Sequence, residues 1–404
     1  MNILVVFPFL LHNEVKHGGG KQILRLVKGL SVLGHNIHIM CLSETDPNYY
    51  QKEIKQLSQF CASIKIFIHP KLNFFKKVVN FLRPSIPPQS RNCIIKEARN
   101  YVKFISSSGQ IDLVHIVFTY MGEYAKCVDK NKCDFLIDTQ EIGTRKYLML
   151  TKKNKSLLSR FHSFLTYLRT KRYEKHLLEN ALATIAISKE ESSFIQQFCK
   201  PKRTLVIPSL IDKKELCKSV IKEKENTLLF FGSFNHTPNI DAMIWFCNDI
   251  FPLILKRVPE VFLNIVGENA QKKLTWLQKE NINIVGTVPN MKPWISEATV
   301  IVSPIISGGG ARIKNIETLA MGKPLVTTSL GAEGIGDGIC EGYYIENDAA
   351  AFAKKVVELL INKELRAEIG ALGKKKIEVL HDNVYNAQKI VDVCNQFIKD
   401  QSSL

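Results

Sequence analysis

Short apolar runs alternate with stretches of helical periodicity along almost the whole chain. Residues 2–9 (NILVVFPF) form an apolar run that ends in a loop containing Gly18, Gly19 and Gly20. After it, Ile23, Leu26, Val27, Leu30 and Leu33 recur at helical spacing, Gly34 ends the helix, and a strand follows at 37–42. Strand, glycine-rich loop, helix, strand is the start of a parallel βαβ sheet. Further strands are expected at 64–68, 113–117, 135–138, 184–187 and 204–207. The charged, non-periodic stretch 212–226 (DKKELCKSVIKEKEN) interrupts the series. A second series then begins, with strands at 228–231, 262–266, 282–285, 300–303 and 324–327, helices at 242–257 and 314–321, and closing helices at 350–380 and 384–399. The fold class is therefore α/β, with two doubly wound, Rossmann-like parallel-sheet domains facing a cleft. Residues 1–210 form the first domain, 211–226 a linker and 227–383 the second, with the terminal helix 384–404 packing back on the first.

A length of 404 residues suits two such domains, and 45% apolar with 23% charged residues is a globular composition. No apolar run approaches the length of a membrane span, and the apolar opening lacks the flanks of a signal peptide, so a cytoplasmic location is expected. The ten cysteines include no CxxC pair and no histidine companion at zinc spacing; they read as reduced thiols, and no metal site is expected. Charge changes the picture more. The net +17 lies wholly in residues 1–208, which hold 32 Lys+Arg against 15 Asp+Glu. Two segments concentrate it: 71–103, with eight basic residues and one acid, and 145–176, with ten and one. Such segments suit an anionic partner. In the first, Phe74, Phe75, Val78, Val79, Phe81 and Leu82 interleave with Lys71, Lys76, Lys77 and Arg83, a pattern expected to attach reversibly to an anionic membrane surface. Neither segment has a nucleic-acid-binding signature.

In doubly wound sheets ligands bind beyond the carboxyl ends of the strands, so the chemistry is expected in the loops there. Gly308, Gly309 and Gly310 precede a helix start, where free backbone N–H groups and absent side chains let a phosphate approach. Arg312 and Lys314 follow, a fork of donors and a point charge suited to a departing diphosphate. Glu317, on the same helix, can accept the two vicinal hydroxyls of a ribose.

The stretches LLFFGSFNHTPNIDAMIWFCNDIFPLILKRVPEVFLNIVGEN and INIVGTVPNMKPWISEATVIVSPIISGGGARIKNIETLAMGKPLVTTSLGAEGI resemble the nucleotide-sugar-binding domain of the family-4 (group 1) glycosyltransferases. The likeness is nearest to the subgroup of exopolysaccharide and cell-envelope glycan synthesis. HGGGKQILRLVKGLSVLGHNIHIM, DLVHIV, IDTQEIGTRKY and KRYEKHLLENALATIAISKEESSFI are similar to its first domain. The resemblance implies a GT-B fold and a retaining hexosyltransferase, with a UDP- or GDP-type sugar donor as substrate and neither cofactor nor bound metal. The acceptor would be a hydroxyl of a glycan or lipid-linked glycan, reached from the inner face of the cytoplasmic membrane. It assigns Glu317 to the donor ribose, Gly308, Gly309 and Gly310 to the diphosphate and sugar, Val288 and Pro289 to the base, and Gly18 and Gly19 to the donor phosphates. His115 stands where the family has a strand-end histidine and is a catalytic candidate together with Arg312 and Lys314; Glu141 is a further cleft candidate.

The chain departs from many members in three places. Val117 replaces a second histidine, Gly309 replaces a glutamate eight residues before Glu317, and the segment 232–239 lacks the usual arginine and lysine. Arg312 and Lys314 are expected to supply that charge, in keeping with a subgroup pattern that also holds Pro238, Asn239 and Asp241. Two other readings use the same fold: a nucleotide-sugar epimerase, and a nucleotide-sugar-binding protein without turnover.

Overall fold

A computed structural model describes residues 1–11, 18–69, 86–153, 156–212, 221–308, 312–335 and 342–402. The chain divides into two units, Met1–Leu210 with Asn383–Leu404, and Ile211–Asp382.

Among the described residues the first unit holds seven parallel strands: β1 (Asn2–Phe7), β2 (Asn36–Ser43), β3 (Ser63–Ile68), β4 (Leu113–Val117), β5 (Asp134–Asp138), β6 (Ala183–Ala186) and β7 (Thr204–Val206), in the order β3-β2-β1-β4-β5-β6-β7. Parallel strands need crossovers, and helices laid on both faces bury both sides of the sheet, which is why these strands read as continuous apolar runs. Along β1, Leu4 and Val6 enter one core while Ile3, Val5 and Phe7 enter the other. Helix Gly18–Val32 covers the second of these faces with Ile23, Leu26, Val27 and Leu30. The glycines expected in the preceding loop are its first turn instead. Gly34, at φ +79°, ends it as expected. Helix Asn383–Ser402 lies on this helix: Asn383 Nδ2 donates to the Arg25 carbonyl at 3.1 Å, and a Cβ on Gly29 would stand 2.5 Å from the Asn383 carbonyl oxygen.

Among its described residues the second unit has six parallel strands: β8 (Thr227–Phe231), β9 (Phe262–Val266), β10 (Ile282–Val285), β11 (Val300–Ser303), β12 (Leu325–Thr327) and β13 (Tyr344–Ile345), ordered β10-β9-β8-β11-β12-β13. The expected helix 242–257 begins earlier, at Thr237, where Pro238 occupies the first turn; it opens into a π turn at Phe246–Ile250 ahead of Pro252. The described parts of the expected linker, 211–212 and 221–226, belong to this unit. Glu223 pairs with Lys323 and Arg366, and the Lys224 amide donates to the Glu297 carbonyl. The expected single helix 350–380 is two, Ala349–Ile361 and Lys363–Leu380, because the Asn362 side chain caps the second by accepting from the Leu365 amide. In each sheet the strand order reverses once, between β1 and β4 and between β8 and β11.

Candidate active site

In doubly wound sheets a ligand is received at the strand ends where the strand order reverses, here between β8 and β11. The loop after β8 is pressed onto the one after β9. The Gly232 amide donates to the Val266 carbonyl at 3.0 Å, and a Cβ on Gly267 would sit 1.8 Å from the Gly232 carbonyl oxygen, so only glycine fits there. Asn239, in the first turn of helix Thr237–Trp245, donates through Nδ2 to the Ser233 carbonyl at 2.8 Å and fixes the loop from the other side.

Lys314 reaches into this arrangement from helix Ile313–Ala320, the crossover after β11. Its Nζ donates to the Phe231 carbonyl at 2.9 Å and to Asn239 Oδ1 at 3.2 Å, and lies 3.9 Å from the centroid of the Phe230 ring. Loss of hydration, and secondarily the positive charge of Arg312, hold its ammonium well below the usual lysine range. A cation kept where it costs free energy is one that an arriving anion would relieve.

Gly308 has φ +84°, and a Cβ there would stand 2.8 Å from Pro238 Cγ. Ser307 Oγ donates to Asp241 Oδ2 at 2.8 Å, and Arg312 Nη2 points to the Ser307 carbonyl at 3.5 Å. The loops after β8 and β11 are thus joined through the segment Pro238, Asn239 and Asp241. Arg312 is half-buried at the N-cap of the helix, with its amide directed to the Glu333 carbonyl at 3.4 Å. Glu317 is half-buried, and its spacing of three puts it on the same helical face as Lys314, while Ile316, Leu319 and Ala320 enter the core. Val288 and Pro289 stand on the loop after β10 in the same sheet; Val288 packs on the core and Pro289 is exposed. Gly309 and Gly310 lie outside the described residues.

The first unit's reversal brings together other groups. A Cβ on Gly19 would stand 2.8 Å from Phe118 Cζ, so the first turn of helix Gly18–Val32 passes directly against that ring. Phe118 follows β4 at φ +73°, a conformation that costs a bulky residue about 1–3 kcal/mol, and it stacks on Tyr120 at 5.1 Å. His115 is fully buried in mid-strand, with Nε2 3.6 Å from Asp138 Oδ2; among the described residues neither ring nitrogen has a hydrogen-bond partner. Glu141 is exposed and paired with Lys146 at 3.2 Å.

Among the buried carboxylates that sequence reasoning missed are Glu174 and Glu191. Glu174 accepts from Thr119 Oγ1 (2.6 Å), Thr144 Oγ1 (2.5 Å) and the amides of Gly143 and Thr144 (2.9 Å each), which caps helix Gly143–Lys153 from a distance in sequence. Glu191 accepts from Thr139 Oγ1, and burial pushes its carboxyl up to about 7. Each lies in a segment whose pattern shows only a helix with scattered charges. Their partners come from other elements, and no local spacing signals them.

The family described as glycosyl transferases group 1 matches residues 225–362. An uncharacterised 44.6 kDa protein in the cps region of Klebsiella pneumoniae is 22% identical over 352 residues, covering 84% of this chain and 86% of that one. Among solved structures, sucrose-phosphate synthase from Thermosynechococcus elongatus superposes with a TM-score of 0.70 at 16% identity, covering 98% of this chain and 99% of that one. HepE of Anabaena, in complex with UDP-glucose, does so at 0.63 and 12%, covering 97% and 99%. Residues 225–362 thus resemble the glycosyl transferases group 1, and the two parallel-sheet units are those of the GT-B fold.

Proposed function

We propose that the protein transfers a hexose from a UDP- or GDP-type sugar donor to a hydroxyl of a glycan or lipid-linked glycan, with retention of anomeric configuration. The observation that carries this reading is the placement of Lys314, a cation deprived of hydration, between the end of β8 and the helix that starts beside Gly308 and Arg312. A diphosphate at this point meets two cations and a helix N-terminus, and Glu317, on the face of Lys314, accepts the ribose hydroxyls. The base lies along Val288 and Pro289. The UDP-glucose complex of the Anabaena neighbour supports the donor class, and the cps region of the Klebsiella relative supports a cell-envelope glycan as product.

In the proposed step the bond from the anomeric carbon to the phosphate oxygen breaks, and the acceptor oxygen bonds to the same face of that carbon. The acceptor proton passes to the departing phosphate, so no side-chain base is assigned. Charge grows on the diphosphate as it leaves, and Arg312 and Lys314 stabilise it more in the transition state than in the ground state. No step is assigned to a metal ion. Gly18 and Gly19, at the helix start of the first unit, are proposed to close on the phosphates. His115, beside Asp138, is the remaining catalytic candidate, and Glu141 remains a candidate on the acceptor side.

The charge excess of the first half supports peripheral attachment to the anionic inner face of the cytoplasmic membrane. The aromatic and basic stretch that suggested it, 71–83, lies outside the described residues. Among the described residues no helix is long and apolar enough to cross a membrane. Incubation with a panel of nucleotide sugars tests the function: release of nucleoside diphosphate with a transferred or hydrolysed sugar supports it. An epimeric nucleotide sugar would mark an epimerase, and binding without turnover a binding protein.

A further inference from the structure

Helix Leu157–Asn180 is laid on the first unit with the wrong side out for its first three turns. Leu157, Leu158, Phe161, Phe164, Leu165 and Leu168 recur at helical spacing and form one apolar face, and that face is exposed, Leu157 at 80%, Leu158 at 82% and Phe161 at 62%. The face turned inward over the same turns carries Ser163, Thr166 and Thr170. A helix serving only its own domain buries the large apolar residues and exposes the small polar ones. An exposed stripe of this size marks an interaction surface.

The same stripe continues past Leu168 as Arg172, Lys175 and His176. There the helix borders a groove of about 940 Å³, lined also by Phe135 and Leu177 and by Lys126 and Lys130. The surface therefore reads along its length as an apolar band followed by a cationic one. We infer that this face docks on a bilayer with anionic headgroups, the leucines and phenylalanines entering the headgroup boundary and the cations beside the groove meeting lipid phosphates. The inference shares the partner class of the peripheral attachment proposed above and assigns it to different residues.

Charge complementarity selects this occupant. A second copy would bring together two segments that each carry ten basic residues and one acid over 145–176. A nucleic acid would answer the cations but leave the leucine stripe in water, since these residues are not spaced aromatic platforms.

The test uses the full chain and vesicles of phosphatidylcholine with and without phosphatidylglycerol, read by co-sedimentation. Leu158→Gln combined with Phe161→Gln should weaken binding to the anionic vesicles about tenfold or more, and Arg172→Gln with Lys175→Gln should weaken it similarly and flatten its salt dependence. Unchanged UDP affinity in both variants verifies that they are folded. A Phe161→Trp variant supplies an independent reading: its emission should shift to the blue with anionic vesicles and be quenched by brominated acyl chains. Wild-type binding that neither double variant reduces would overturn the assignment of this face while leaving peripheral attachment standing. Absence of wild-type binding would sink both. A dimer converted to a monomer by the apolar double variant, with vesicle binding unchanged, would show that a second copy covers the stripe.

Discussion

Replacing Lys314 by Met separates the proposed role of this cation from a merely structural one. The substitution keeps the length of the side chain and its apolar contact with the Phe230 ring, and removes the ammonium with its bonds to the Phe231 carbonyl and Asn239 Oδ1. For folding the changes oppose each other. Two acceptors lose a donor, at about 1–3 kcal/mol each if left unsatisfied, but a costly buried charge also disappears. Because the folded pKa is depressed, that cost is fully present below it and is relieved as pH rises toward the ordinary value of 10.5. Stability should therefore change little at neutral pH. Binding has no such offset: a diphosphate loses a charge-assisted contact worth about 1.5–3 kcal/mol, a fall in affinity of roughly 10- to 150-fold. Uridine, which lacks the diphosphate, should lose almost nothing. A bound diphosphate also raises the Lys314 pKa, so the wild type should take up a proton on binding UDP at pH values between the free-state pKa and 10.5. Titration calorimetry in buffers of different ionisation enthalpy reads both effects, with GDP as the alternative nucleotide. Equal losses for UDP and uridine, together with a wild-type heat independent of buffer, would refute the reasoning.

Glu317→Ala should weaken UDP binding by about 1.5–3 kcal/mol through loss of a charged acceptor, and calorimetry should show 2′-deoxy-UDP almost indifferent to the change. Arg312→Ala should lower kcat more than it raises KM in steady-state assays, since its partner charge grows in the transition state; a change in KM alone would make it a uniform binding contact. Glu191 supplies a pH dependence: burial above all lifts its carboxyl to about 7 in the fold, against 4.5 ordinarily, the Thr139 hydrogen bond and Arg145 opposing the rise and Asp138 and Glu174 adding to it. The folded state then holds more protons than the unfolded one across that window, so stability falls by about 3 kcal/mol as pH rises through it. Denaturant unfolding of Glu191→Gln should lose that slope; an identical slope in wild type and variant would discount the burial argument.

What the sequence makes legible depends on the range of the interactions involved. Strands β1, β4 and β8 are legible because burial on both faces leaves a continuous apolar run. Strand β13, two residues long, has no pattern to read. Helix Leu157–Asn180 was read as a charge cluster because its apolar residues change face along its length, outward in the first turns and inward at Tyr173, Leu177 and Leu178. Gly18, Gly19 and Gly20 were placed in a loop because three glycines in succession resemble a turn; in the fold they start a helix where Phe118 leaves no room for a Cβ on Gly19. Arg312 and Lys314 stand out in the sequence as candidates because of the glycines before them. That Lys314 would be held by a carbonyl 83 residues earlier is not legible there, since only the β8/β11 reversal brings the two together.

The most direct measurement of the central claim is a crystal structure with UDP bound. The account predicts diphosphate oxygens within hydrogen-bond reach of the Arg312 guanidinium and the Lys314 ammonium, ribose hydroxyls on Glu317, and the base along Val288 and Pro289. A nucleotide bound elsewhere, or one whose diphosphate leaves Lys314 and Arg312 untouched, would contradict it.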